Sequence, residues 1–573
     1  MDARRLVCYY VLALLCVSEL SARIPSTEEV VVRTESGWIR GLKRRAEGNK
    51  SYASFRGVPY AKQPLGELRF KELQPLEPWQ DELDATQEGP VCQQTDVLYG
   101  RIMRPRGMSE ACIHANIHVP YYALPRDATD KNRFAGLPVL VFIHGGGFAF
   151  GSGDSDLHGP EYLVSKDVIV ITFNYRLNVY GFLSLNSTSV PGNAGLRDMV
   201  TLLKWVQRNA HFFGGRPDDV TLMGQSAGAA ATHILSLSKA ADGLFRRAIL
   251  MSGTSSSAFF TTNPVFAQYI NKLFVTNMGI TATDPEEIHQ KLIEMPAEKL
   301  NEANRFLLEQ FGLTTFFPVV ESPINGVTTI LDEDPEQLIA KGRGKHIPLI
   351  IGFTDAECEI FRRRFEQIDI VSKIKENPGI LVPLSVLFSS APDTVAEITK
   401  AMHEKYFKNS VDMEGYIELC TDSYFMYPAI SLAIKRARSN GAPVYLYQFS
   451  FDGDYSVFRD VNHLNFEGAG HIEDLTYVFR TNSMLGGHAS FPPHDKDDHM
   501  KYWMTSFITN FMKYSNPVTD AKLWPEVRAD NLRYQDIDTP DVYQNVKPHS
   551  EQRDMLDFFD SIYNWNGTSY CIK

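Results

Sequence analysis

Hydrophobic and polar positions along the chain fall into two alternating patterns. Short apolar runs rich in β-branched residues recur at 138–143, 167–173, 220–223, 247–251, 347–351 and 444–449. Between them lie stretches with helical spacing. From Ala194 to Phe213, the residues Leu196, Met199, Leu202, Leu203 and Val206 share one face, and Ala227 to Leu237 reads as another helix. A strand that is apolar on both faces needs cover on both. The alternation therefore predicts an α/β fold with a large, mostly parallel central sheet and helices on both faces. Residues 28–33 and the Trp38 region predict antiparallel edge strands. Residues from about 260 to 345 and from 365 to 440 predict mainly helical insertions that wall a deep pocket. No linker, repeat or low-complexity segment divides the chain.

Two of the turns between these elements carry chemistry. The run 220–223 leads into Gly224-Gln225-Ser226-Ala227-Gly228, and a helix follows at once. A serine between strand and helix in a G-x-S-x-G pattern projects its hydroxyl above the sheet as a nucleophile. Gly224 and Gly228 are expected because side chains there would collide with the neighbouring strand and helix. The helix start turns its partial positive charge toward the same point. The run 138–143 leads into His144-Gly145-Gly146-Gly147-Phe148. Glycines let backbone N–H groups approach a developing oxyanion, and the N–H groups of Gly146, Gly147 and Ala227 are the expected donors.

A serine nucleophile needs a base, and the base needs an acid. On this pattern they follow in the order Ser, Asp/Glu, His. The loop after 347–351 holds Asp355 and Glu357, and the stretch after 444–449 holds His471 in Glu467-Gly-Ala-Gly-His471. Both follow carboxyl ends of strands, where sites of open α/β sheets form. His471 would take the serine proton and Glu357 would orient the imidazole. Order alone leaves Asp355 as a second acid and His403, His463, His488, His494, His499 and His549 as other bases.

Bulk properties narrow the setting. The chain has 573 residues, is 44% hydrophobic and carries a formal net charge of −12. That balance counts against nucleic acid and anionic membranes as partners. Arg4 and Arg5 precede the apolar stretch Leu6 to Val17, and Ser21-Ala22 offers small residues for cleavage, so residues 1–22 read as a signal peptide and 23–573 as one domain. No later run reaches the ~18 apolar residues of a membrane span. A secreted, extracellular chain is expected, with acceptor sequons at Asn49, Asn186 and Asn566. Of seven cysteines, Cys8 and Cys16 leave with the leader. Cys92, Cys112, Cys358, Cys420 and Cys571 remain, an odd number and too few for a disulfide scaffold. The stretch Pro492-Pro-His494-Asp-Lys-Asp-Asp-His499 is charged and reads as solvated rather than as a metal site. No metal or cofactor is expected.

Together, HGGGF, Asn174-Tyr-Arg-Leu177, Gly192-Asn-Ala-Gly-Leu-Arg-Asp198 and GQSAG resemble the type B carboxylesterase/cholinesterase family over nearly the whole mature chain. The resemblance implies an α/β-hydrolase fold with a Ser226, Glu357, His471 triad, and it favours Glu357 over Asp355. It also implies a disulfide between Cys92 and Cys112. Two positions depart from the family pattern: Cys358 stands where Gly is usual, and Met199 follows Asp198 where Gln is usual. Gly468-Ala-Gly-His-Ile-Glu-Asp474, Leu475-Thr-Tyr-Val-Phe479 and Leu68-Arg-Phe70 are similar to the insect branch that cleaves the methyl ester of a sesquiterpenoid hormone in haemolymph. A small apolar ester is then the expected partner, and the chain is expected to be a monomer.

Two other readings meet opposing residues, and a third shares the chemistry. A quaternary ammonium substrate favours an aromatic cage, best with Trp, and the 92–112 loop has Tyr99 but no Trp. Cholinesterases usually carry Glu where Gln225 stands, and an apolar substrate suits a pocket without that charge. An inactive adhesion protein on the same fold typically lacks the serine or histidine, and both are present. A broad detoxifying carboxylesterase would share the chemistry and differ only in its pocket. The expected pocket residues are Gln225, Phe259, Phe311, Leu313, Tyr416 and Tyr424, with Phe260, Phe316, Phe317 and Phe425 beside them and Thr314 as a polar contact.

Overall fold

A mixed sheet of thirteen strands runs through the chain in the computed structural model. The structure describes residues 28–100, 102–103, 107–125, 136–262, 264–485, 495–520, 523–539, 546–548 and 552–564. The expected signal peptide, the Asn566 sequon, Cys571, His488, His494 and His549 lie outside the described residues. In chain order the strands are β1 (Glu29–Thr34), β2 (Gly37–Arg45), β3 (Ser51–Pro59), β4 (His114–Pro120), β5 (Leu137–Ile143), β6 (Ile169–Phe173), β7 (Gly215–Gln225), β8 (Arg247–Met251), β9 (Leu349–Thr354), β10 (Val444–Phe449), β11 (Arg533–Ile537) and β12 (Val546–Pro548). Their spatial order is β1-β2-β3-β4-β6-β5-β7-β8-β9-β10-β11-β12, and the short strand Leu83–Asp84 pairs with β2 off this path. From β6 through β11 every pairing is parallel. The pairings at the two margins are antiparallel, as expected of strands left partly open to water.

The buried strands match their sequence. Val139 to Ile143 are fully buried, which is why that run shows no polar alternation. Helix α1 (Ala194–Asn209) buries the face predicted for it. Helix α2 (Ala227–Leu237) is buried along its whole length and packs on β7 and β8. Strand limits differ from the sequence reading at several ends, most at the starts of three parallel strands. The run expected over 167–173 pairs only from Ile169. β7 begins at Gly215, five residues early, but a register shift separates Gly215 from Val220, so the regular part is the apolar part. β9 begins at Leu349 rather than 347 because Pro348 has no N–H to give; its carbonyl accepts from Ala248 N at 3.0 Å.

The insertions are helical except at one place. Pro264–Asn277, Pro285–Ile293, Ala297–Phe311 and Pro335–Ala340 are helices, while 312–334 is irregular and corrects the expectation there. In the second insertion, Met413–Thr421 and Tyr427–Arg438 are joined by a π-helical turn, Asp422–Met426. Such turns often sit at functional sites. Disulfides join Cys92 to Cys112 and Cys358 to Cys420.

Buried histidines make the fold acid-sensitive. Desolvation pushes His118, His158 and His233 down to about 3 and His144 down to about 4 from an ordinary 6.5. The unfolded chain takes up protons below about 6.5 that these folded rings refuse. Their contribution is therefore present above 6.5 and lost as the pH falls toward their folded values. Burial raises Asp355 to about 6 and Asp474 to about 7 from an ordinary 3.8. Those two act in the opposite sense, favouring the folded state below 3.8 and losing that advantage as the pH rises through 6 and 7. Asp422, which burial raises to about 6, acts with those two; the four large depressions outweigh these three elevations, so Tm should fall between pH 6.5 and about 4. Scanning calorimetry showing a higher Tm at the acid end would contradict this.

Candidate active site

β7 ends at Gln225, α2 starts at Ala227, and Ser226 between them has φ 59° and ψ −126°. Side chains rarely adopt this conformation, and it persists only where the surroundings enforce it. The enforcing bonds are Ser226 N to Met251 O at 2.8 Å, with the Ser226 carbonyl accepting from Ala229 N at 2.9 Å and Ala230 N at 3.0 Å. The flanking glycines are required by close approach. A Cβ on Gly224 would overlap the Gly228 carbonyl, and one on Gly228 would overlap the Ile143 carbonyl. Ala227, the first residue of α2, has no intrahelical acceptor for its N–H.

The HGGGF turn lies against this elbow. A Cβ on Gly145 would stand 3.0 Å from Ser226 Cβ and 2.6 Å from Gln225 Oε1. Gly146 and Gly147 both have positive φ, 103° and 61°. The bonds that fix the turn include Phe150 N to Gly146 O at 3.1 Å, Ala149 N to Gly146 O at 2.9 Å, the Tyr175 hydroxyl to His144 O at 3.0 Å, and the Thr314 hydroxyl to Gly147 O at 2.6 Å. Thr314 thus spends its proton on the glycine turn, a use its place in an apolar sequence run did not reveal.

On the other side stands His471, buried, with Nδ1 2.5 Å from Glu357 Oε2. Glu357 Oε1 accepts from Thr354 N at 2.8 Å, and His471 N donates to Glu357 O at 3.2 Å. The carboxylate is thereby fixed at both oxygens. Asp355 faces elsewhere: its Oδ1 accepts from Ala469 N at 2.7 Å, bracing the loop that carries His471 rather than the ring. Phe361 and Phe425 close on the imidazole with ring centroids 5.3 and 4.8 Å away. Of the other described histidines weighed as bases, His403 packs on Phe407, His463 ends the short helix Val457–Asn462, and His499 is exposed on Lys496–Tyr514. Nearby, Asp497 accepts from the Tyr477 hydroxyl at 2.6 Å and is buried, so that charged stretch is only partly solvated.

A cavity of about 340 Å³ opens beside these groups. Its walls include Phe259, Phe311, Leu313, Thr314, Tyr416 and Tyr424, together with Phe317 and Phe425. Phe260 and Phe316 are buried behind it. Phe361, Phe365, Ile380 and Leu387 also line it and were not singled out from sequence, because each sits in a short helix with no motif. Gln225 does not line the cavity. Its side chain is wholly buried, with Nε2 3.2 Å from His471 Nε2. The cavity reaches the glycine turn through Thr314, which bonds Gly147, and the His471 ring through Phe361 and Phe425, which pack on it. Another hollow, of about 1350 Å³, is polar and lined by Lys43, Arg45, Glu47, Arg56 and His118; neither hollow has Ser226, Glu357 or His471 in its wall, and only the smaller one is lined by the rings that pack on His471. Tyr99 is buried against Phe150 and Phe458.

Comparison with known proteins shows the family. The sequence profile of the Carboxylesterase family matches residues 28–555. Juvenile hormone esterase of Heliothis virescens is 58% identical over 544 residues, covering 94% of this chain and 95% of that protein. Juvenile hormone esterase of Tribolium castaneum is 32% identical, covering 85% of this chain and 84% of its own. The crystal structure of juvenile hormone esterase from Manduca sexta, with OTFP covalently attached, superposes with a TM-score of 0.91 at 98% identity, over 94% of this chain and all of that one. Matched from its first described strand to its last helix, the chain belongs to the carboxylesterase family and is a carboxylic ester hydrolase.

Proposed function

We propose that this chain hydrolyses the methyl ester of juvenile hormone, with Ser226, His471 and Glu357 as triad. The observation that carries the substrate reading is the cavity. Its wall is mainly aromatic and aliphatic, with Gln310, Thr314, Lys373 and Asn377 as its polar members, and it runs up to the rings packed on His471. An apolar wall with few polar groups favours a long hydrocarbon acid part. The similarity to two insect juvenile hormone esterases supports the same substrate.

In this reading Ser226 Oγ attacks the ester carbonyl carbon as its proton passes to His471 Nε2. The N–H groups of Gly146, Gly147 and Ala227 stabilise the oxyanion; losing one such donor costs about 3 kcal/mol. Collapse expels methanol, which takes the proton from His471. Water then attacks the acyl-enzyme by the same route, releasing the hormone acid. Glu357 holds Nδ1–H and stabilises the imidazolium. No step calls on a cofactor or metal.

The setting belongs to the same proposal: a secreted, monomeric, extracellular enzyme of haemolymph, with glycans at Asn49 and Asn186, both exposed on left-handed turns. Among the described residues no helix is long and apolar enough to cross a membrane. The test is kcat/KM on juvenile hormone against short generic esters such as p-nitrophenyl acetate, at submicromolar substrate. A large preference for the hormone is expected. Preference for the generic esters would instead favour the broad detoxifying carboxylesterase.

A further inference from the structure

Gln225 is placed to act on the base rather than on the substrate. It is the last residue of β7, wholly buried, and its amide Nε2 lies 3.2 Å from His471 Nε2. The other ring nitrogen is committed: Nδ1 stands 2.5 Å from Glu357 Oε2, and a carboxylate there can only accept. Nδ1 therefore bears the proton and Nε2 presents its one lone pair, toward which the Gln225 N–H points; the Ser226 hydroxyl has to displace that contact to use the same lone pair. The cost appears at the other end of the amide. Gln225 Oε1 is buried with no hydrogen-bond partner, hard against Gly145. An unpaired buried amide oxygen is destabilising, so the donor is held at His471 despite the geometry of its own oxygen.

We infer that Gln225 is a positioning residue for His471: its amide anchors the neutral ring at Nε2 until the Ser226 hydroxyl takes over that lone pair, and it keeps a second carboxylate away from Nε2. The inference rests on the roles proposed above for Ser226 and His471. The other charged groups packed around the ring are already engaged. Glu357 is on Nδ1. Glu473, on the same turn, accepts from Gly470 N at 2.5 Å and pairs with Arg459 at 3.0 Å. Asp474 accepts from the Tyr447 hydroxyl at 2.8 Å, and Asp355 accepts from Ala469 N. The remaining faces are the Phe361 and Phe425 rings. The charge state of the side chain at position 225 is thus the variable one at Nε2.

Two substitutions test this. Gln225→Glu puts a carboxylate beside Nε2, which favours the imidazolium, so the acid limb of kcat/KM should move up by about one pH unit or more. Gln225→Met keeps length and removes the amide. It should lower kcat about three- to tenfold, the low end of what a positioned proton-transfer partner contributes, and move the limb up by less. KM should stay unchanged in both, because Gln225 does not line the cavity. Unchanged kcat and limb in Gln225→Met, with the wild-type melting temperature, would overturn the inference even if Gln225→Glu failed to fold. A raised KM with an unmoved limb would make Gln225 a pocket residue and equally overturn it. Ser226→Ala assayed alongside separates the two levels. An active Ser226→Ala removes the triad reading itself, whereas a dead one with a wild-type-like Gln225→Met removes only the role of Gln225.

Discussion

Ser226→Ala should lower kcat on any ester by about 10⁴- to 10⁶-fold while leaving the melting temperature within a degree or two. The rate estimate follows from what removal of a triad serine costs in other folds. Without Oγ no acyl-enzyme forms, and water must attack directly with help only from the oxyanion donors. The stability estimate follows from the local backbone. The bonds that enforce φ 59° at position 226 run through its N–H and carbonyl, to Met251 O and from Ala229 and Ala230, and alanine keeps all of them. Cβ also stays, so the contact with Gly145 is unchanged. A trifluoromethyl ketone gives a second readout, since it inhibits by adding to the serine oxygen as a tetrahedral adduct. The variant should lose that tight, slowly reversed inhibition. Turnover near wild type in Ser226→Ala would end the proposed mechanism, and intact inhibition by the ketone would place its adduct on another residue.

Much of this site was legible before any coordinates because it is built from local rules. The elbow needs a strand, two glycines and a helix within nine residues, and 220–228 spells out all of them. The oxyanion turn is equally local. Glu357 and His471 could be placed on the right loops by chain order, but not chosen among neighbours. The choice between Glu357 and Asp355 turns on which way two side chains of one loop point. That depends on Thr354 N and Ala469 N as competing donors, and Ala469 is 114 residues distant from Asp355. The side chain of Gln225 shows the same limit more sharply. Its neutral amide was readable as a clue to the pocket, yet it contacts His471 across 246 residues and touches no part of the cavity. The Cys358–Cys420 pair is similar: a cysteine where the family usually has glycine is visible, but its partner on Met413–Thr421 is not. Once seen, that bond ties the residue after Glu357 to the helix pair that walls the cavity.

Glu357→Gln should cost about 10⁴ in kcat, and Asp355→Asn should cost only a few-fold. The first figure is the loss seen when the acid of a serine triad becomes an amide, and the bonding here gives the reason. Glu357 satisfies two donors at once, Thr354 N through Oε1 and His471 Nδ1–H through Oε2. Glutamine has one acceptor oxygen. If that oxygen stays on the Thr354 N–H, the amide NH₂ faces Nδ1, which must then accept. The ring proton moves to Nε2, and the base can no longer take a proton from Ser226. The same shift sets Nε2–H against the Gln225 N–H, so the misplaced tautomer meets a second donor where it needs an acceptor. If the oxygen turns to Nδ1 instead, Thr354 N loses its partner in a buried loop and the acid is displaced. Asp355 has no such double duty toward the ring. Burial raises its carboxyl to about 6, so a neutral side chain there is less costly than at an ordinary carboxylate, and asparagine retains an oxygen to accept from Ala469 N. Measuring kcat for both variants at one pH on the plateau of the wild-type profile decides between the two carboxylates. A loss in Asp355→Asn that matched or exceeded the loss in Glu357→Gln would transfer the role of the acid to Asp355, and the 2.5 Å contact to His471 would then be structural.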